Sequence, residues 1–141
     1  MKKILVLCTG NSCRSQIAEG WLRHFANGKF EVFSAGIETH GVNPNAIFYM
    51  KEAGIDISKH TSNHINEYMN IQFDFIITVC DHAKEHCPYI PSKAIRIHYN
   101  FSDPSKIKGN EEEMAIAFRK TIVEIKEFSE KFVKEHFNNE I

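Results

Sequence analysis

The sequence has no excess of either charge: 17 lysines and arginines stand against 18 aspartates and glutamates, for a net charge of −1. That balance gives no basis for a nucleic-acid or membrane-surface partner. No apolar run approaches the length of a membrane span. Met1-Lys2-Lys3 leads straight into a short apolar stretch without a small-residue cleavage site, so a cytoplasmic location is expected rather than a secretory leader. Internal repeats, low-complexity tracts and linker-like stretches are missing, and 141 residues suit a single domain, 1–141, with a sizeable core. Cysteine is sparse. Four of them in a chain expected to be cytoplasmic point to catalytic, redox or metal-binding thiols rather than a structural disulfide frame.

What is present is concentrated near the start. Cys8-Thr9-Gly10-Asn11-Ser12-Cys13-Arg14-Ser15 directly follows the apolar run Ile4-Leu5-Val6-Leu7. A cysteine at a strand end, five loop residues, an arginine and a helix start make a cradle for a tetrahedral oxyanion with a sulfur nucleophile at its base. The amides of Thr9, Gly10, Asn11, Ser12 and Cys13, with the helix N-terminus behind them, favour a dianion. Arg14 adds a planar fork of donors. The same positive field favours a thiolate at Cys8. Gly10 lets the backbone approach the ligand with no Cβ in the way.

Hydrophobic spacing predicts a strand at Lys3–Leu7 and a helix capped by Ser15 that runs through Phe25 to Asn27-Gly28. A second strand spans Phe30–Ala35. A second helix opens at Asn43-Pro44 and stops before Gly54. A less regular helix is expected over His60–Met69, then strands at Phe73–Val79 and Ala94–His98. Asn110 with Glu113 reads as a capping box before a long helix whose apolar stripe is Met114, Phe118, Thr121, Ile122, Ile125, Phe128 and Phe132. Alternating strands and helices predict an α/β fold: a doubly wound, four-stranded parallel sheet with helices on both faces. In that order the first strand lies beside the third, and ligands bind beyond the C-terminal strand ends, where Cys8 sits.

Cys80 follows the third strand. Adjacent strands lie about 4.8 Å apart, and bridged Cα atoms about 4.4–6.8 Å apart, so a Cys8–Cys80 disulfide is within reach. Seven residues of helix from Cys80 to Cys87 would rise about 10 Å, so a bond between those two requires Asp81–His86 to unwind. The thiols could act as a relay from Cys8 to Cys80 to Cys87. Cys80 could also be simply a small buried hydrophobe. Cys13 reads as a passive loop residue. Cys80, His82, His86 and Cys87 offer four metal-ligand types, but their spacing matches none of the common zinc patterns. Asp103, in Phe101-Ser102-Asp103-Pro104 after the fourth strand, is the candidate acid for protonating an expelled hydroxide or alkoxide. An Asp-Pro pair is more often only a turn.

These stretches resemble the low-molecular-weight tyrosine phosphatase superfamily and, closer still, the thioredoxin-coupled arsenate reductases built on its fold. The resemblance is carried by Cys8 through Gln16, by Ser34 through Pro44, by Cys80 with Cys87-Pro88, and by Asp103-Pro104. It implies that Cys8 attacks arsenate, Arg14 and the loop amides hold the oxygens, and Asp103 protonates the leaving hydroxide. Ser15 would hydrogen-bond the nucleophile and help ionise it. Cys80 would release arsenite by attacking the Cys8 adduct, and Cys87 would form the Cys80–Cys87 disulfide that thioredoxin, the electron donor, reduces. No tightly bound cofactor is implied. Some relatives hold a potassium ion at positions matched by Asn11, Glu19 and Ser34; Asn63 stands where they have an aspartate, and the lost charge weakens the case for a cation. The alternatives are a phosphatase acting on phosphotyrosine or a small ester, and a thiol sensor for a soft metal. The first leaves Cys80 and Cys87 unexplained, the second Arg14 and Asp103. Residual phosphatase activity is expected in any case, because phosphate and arsenate are nearly isosteric.

Overall fold

The computed structural model describes residues 1–81 and 93–137. Four parallel strands, β1 (Lys3–Cys8), β2 (Glu31–Gly36), β3 (Phe75–Thr78) and β4 (Ile95–His98), form one sheet in the order β2-β1-β3-β4. β1 is central and entirely apolar from Ile4 to Leu7, as a strand covered on both faces must be. Its register puts Cys8 opposite Gly36 and Leu7 opposite Thr78, so three strand ends open onto one edge. Helices α1 (Arg14–Ala26), α2 (Pro44–Glu52) and α3 (Glu111–Phe137) contact one another. α3 buries Phe118, Thr121, Ile122, Ile125 and Phe132, with Met114 and Phe128 partly covered. Its last residue, Phe137, stacks on Phe30 at 4.1 Å. Among the described residues no helix is long and apolar enough to cross a membrane.

Two expectations about helices change. α1 starts at Arg14 with Cys13 in the cap position and no side-chain cap, while the Ser15 hydroxyl instead accepts a bond from Asn11 Nδ2 at 2.9 Å. An uncapped terminus keeps its first amides available for an anion. The helix expected over His60–Met69 shrinks to a 3-10 turn at Ile65–Tyr68. The stretch before it is drawn out because its backbone serves the anion loop. Thr61 O accepts from Gln16, Asn63 N donates to Asn11 Oδ1 at 2.7 Å, and Asn63 O accepts from Gly36 N at 2.8 Å.

Gly36 marks the tightest backbone approach. A Cβ there would meet Glu38 O, and would lie 2.7 Å from Asn11 N and 2.8 Å from Thr9 O. All three neighbours are main chain and cannot swing aside. Gly36→Ala is expected to cost about 1–3 kcal/mol, as overpacking does, and to weaken phosphate binding by displacing the loop. Urea unfolding and phosphate calorimetry measure both; an unchanged unfolding midpoint would refute the close fit.

Candidate functional site

β1 delivers Cys8 to the sheet edge, and the chain then turns through Thr9–Cys13 into α1. The loop's carbonyls all face outward and are engaged. Those of Cys8, Thr9 and Gly10 accept from the amides of Ile37 (3.4 Å), Glu38 (2.8 Å) and His40 (3.0 Å). Asn11 O accepts from Gln16 Nε2, and Ser12 O and Cys13 O accept from Asn43 N and Ile17 N. With its oxygens tied down from behind, the loop has the form of an anion-binding nest. Asn11 sets its curvature. It holds the left-handed conformation at φ 47°, and its fully buried side chain donates to Ser15 and Ser34 while accepting from Asn63.

In front of the loop is a cleft of about 290 Å³ lined by Cys8, Thr9, Gly10, Ser12, Cys13 and Arg14 on one side, and by His40, Asp103, Ser105 and Lys106 on the other. Asn11 is the one predicted binding residue outside this lining; its side chain shapes the loop from behind. Arg14 Nη1 donates to Phe101 O at 2.7 Å, and Nη2 lies 3.6 Å from Asp103 Oδ2. Its Nε is buried and has no hydrogen-bond partner among the described residues. An orphaned buried guanidinium donor beside a cleft is a strong demand for an acceptor.

Asp103 is held by its own turn. Its Oδ1 accepts from Ser105 N (3.0 Å) and Ser105 Oγ (2.6 Å), which leaves Oδ2 as the oxygen turned toward Arg14. The turn is anchored by Phe101, fully buried against Tyr99 and Phe128, whose amide donates to Val79 O at 3.2 Å.

Cys80 lies directly against Cys8, with sulfurs 3.5 Å apart. Thr9 Oγ1 lies 3.3 Å from the Cys80 sulfur. The contact opposes the expected ionisation of Cys8. As donor to Cys80, and buried, the Cys8 thiol is pushed well above its usual range, against the pull of Arg14 and the Thr9 amide. When Cys80 becomes the donor instead, its S–H favours charge on Cys8, and the same pair turns from a brake into a support. Burial and the nearby Asp103 push Cys13 up to about 12. Cys87, His82 and His86, and with them the expected unwinding of the segment to Cys87, lie outside the described residues.

The residues matching a potassium site do not suit a cation. Ser34 Oγ donates to Glu19 Oε1, and Glu19 Oε2 is paired with Arg23 Nε at 2.9 Å and lies 3.4 Å from His60 Nε2. Burial holds His60 below the usual imidazole range despite the pull of Glu19, so the charge that balances Glu19 is Arg23. Asn11 presents its NH2 group, not an oxygen, to Ser34. Spacing alone missed Arg23, one helical turn after Glu19, although an acid and a base at i and i+4 are a known pairing signal. It also missed His40, which reaches the cleft only because Glu38 and His40 bond to loop carbonyls.

The family model for low molecular weight phosphotyrosine protein phosphatase matches residues 3–140. An arsenate reductase of Halalkalibacterium halodurans is 50% identical over 124 residues, covering 88% of this chain and 89% of the relative. The solved structure of an arsenate reductase in the phosphate binding state superposes with a TM-score of 0.78 at 32% identity, covering 96% of this chain and 98% of that one. A thioredoxin-dependent arsenate reductase of Corynebacterium glutamicum shares the fold, with a TM-score of 0.76 at 23% identity over 96% of this chain and 61% of that one.

Proposed function

The chain belongs to the low molecular weight phosphotyrosine protein phosphatase family, and from that premise we propose that it reduces arsenate to arsenite through a relay of three thiols. The observation that carries this reading is a second cysteine sulfur 3.5 Å from the nucleophile of an oxyanion cleft. Phosphoryl transfer has no use for it.

Arsenate enters with its oxygens on the loop amides and on Arg14, whose Nε gains the acceptor it lacks. The Cys8 sulfur attacks arsenic, and one oxygen leaves as water with a proton from Asp103. The Cys80 thiolate then attacks the Cys8 sulfur. The sulfur–arsenic bond breaks, its electron pair passes to arsenic, As(V) becomes As(III), and arsenite departs as the Cys8–Cys80 disulfide forms. Cys87 attacks Cys80 in turn, returning Cys8 as a thiol and leaving Cys80–Cys87 for an external dithiol of the thioredoxin class. This exchange follows the ordinary rules of thiolate attack on a disulfide.

The phosphatase reading shares the cleft and Asp103, and weak hydrolysis of phosphate esters is expected beside the main reaction. Among the described residues, the facing wall of His40, Ser105 and Lys106 carries no phenylalanine, tyrosine or tryptophan ring to stack on phosphotyrosine. The test is NADPH oxidation in the presence of thioredoxin and thioredoxin reductase. Catalytic consumption that depends on arsenate supports the proposal; stoichiometric binding without turnover would leave a soft-metal sensor.

Arg14→Lys should not restore function. A lysine could supply charge, but not the fork that holds Phe101 O with one nitrogen while presenting another to the cleft. Activity should fall by about 100-fold or more, on the scale of a lost oxyanion donor, with phosphate affinity falling alongside in calorimetry. Equal affinity and turnover in the two proteins would remove Arg14 from the site.

A further inference from the structure

We infer that His98 is a positioning residue for the second thiol: its ring staples Thr78 to Asp81 and so fixes the backbone that carries Cys80. The inference rests on the relay reading above. Thr78 ends β3, and His98 is its register partner on β4. Main-chain bonds continue the sheet by one residue, with Val79 N donating to Leu7 O at 3.0 Å and Val79 O accepting from Phe101 N at 3.2 Å. Cys80 comes next, beyond the ladder. His98 Nδ1 lies 2.8 Å from Thr78 Oγ1, before the cysteine, and Nε2 lies 2.7 Å from Asp81 Oδ1, after it. A single planar ring thereby spans both flanks of Cys80.

A threonine and a histidine paired across two strands need mean nothing more than sheet stability. What sets this pair apart is the second nitrogen, which reaches out of the sheet to a residue with no strand role. The partner is also mostly exposed, at 64% of its side chain, so the bond is a poor contributor to overall stability. Its effect is local. The step it serves is the displacement at Cys8: the Cys80 sulfur must meet the Cys8 sulfur opposite the bond to arsenic, and reaction rates fall steeply with misplacement of about 1 Å. A ring rigid between two anchors limits that misplacement.

The experiment uses the full chain in a Cys87→Ser background, where oxidation stops at Cys8–Cys80. After a single addition of arsenate, the rate of that disulfide is followed by thiol alkylation and mass spectrometry. Affinity for inorganic phosphate is measured in parallel as the readout of the cleft. His98→Ala and Asp81→Ala should each slow the disulfide about 3- to 10-fold, the range one hydrogen bond allows, with phosphate affinity unchanged. Asp81→Asn retains an acceptor for Nε2 and should recover most of the rate. An unchanged rate in His98→Ala overturns the inference, as does a phosphate affinity that falls in step with the rate, or an Asp81→Asn protein as slow as Asp81→Ala. If the Cys87→Ser parent itself forms no Cys8–Cys80 disulfide, the relay reading fails and takes this inference with it.

Discussion

A Cys80→Ser protein is expected to lose thioredoxin-coupled arsenate turnover entirely while still hydrolysing a phosphate monoester at close to its normal rate. The hydroxyl is smaller and no reductant, so the Cys8 adduct can form but arsenic cannot receive its electron pair. On the proposed mechanism hydrolysis needs no second thiol, only the Cys8, Arg14 and Asp103 side of the cleft. Cys8→Ser should abolish both reactions, and Cys13→Ser neither. Cys13 is buried, faces the negative charge of Asp103, and at about 12 is almost wholly protonated near neutrality. Steady-state assays of all three variants with both substrates check the pattern, and arsenate turnover by Cys80→Ser at the wild-type rate would end the relay.

Asp103→Asn is expected to lower initial arsenate turnover by about 100- to 10,000-fold, the usual contribution of general acid catalysis. The variant should stay folded. An asparagine oxygen can take both bonds from Ser105 in place of Oδ1, and the buried anchor of this loop is Phe101 rather than the carboxylate. What changes is the other atom, where an amide nitrogen replaces the oxygen 3.6 Å from Arg14 and has no carboxylic proton to give. Rapid-mixing measurement of the first turnover, with circular dichroism to confirm the fold, separates the chemistry from stability. A folded variant with near-normal first turnover would show that the Asp-Pro pair is a turn and nothing else.

The parallel sheet, its strand order and the cradle were legible because each follows from a local pattern. An apolar run has to be a buried strand, and a cysteine and an arginine bracketing five small or polar residues leave little else to be. The juxtaposition of Cys8 and Cys80 followed from strand order alone, since neighbouring strands deliver their ends to one edge. Ser15 was misread for a physical reason. A serine near a helix start is usually a cap, but here the helix terminus is kept open and the hydroxyl is spent on Asn11. His60–Met69 was misread because its helix-like spacing cannot report that Gln16, Asn11 and Gly36 claim its backbone groups from elsewhere in the chain. The His98 bridge was invisible for the same reason: it joins residues 17 apart through side chains whose partners only the sheet register decides.

The outward tethering of every carbonyl from Cys8 to Cys13 has a consequence for selectivity. A loop lashed from behind is a stiff mould, and a stiff mould for tetrahedral oxyanions cannot sort arsenate from phosphate by size or charge. Wherever phosphate is the more abundant anion, the cleft will spend much of its time holding the wrong one. Discrimination therefore has to come after capture, from chemistry rather than fit. A phosphorus atom bonded to Cys8 does not accept two electrons from a thiol, whereas arsenic does, so under the proposed relay only the arsenic adduct can leave by the Cys80 exit. On that proposal fidelity resides in which visitor can be committed, and phosphate would act as a reversible toll on occupancy rather than as an error.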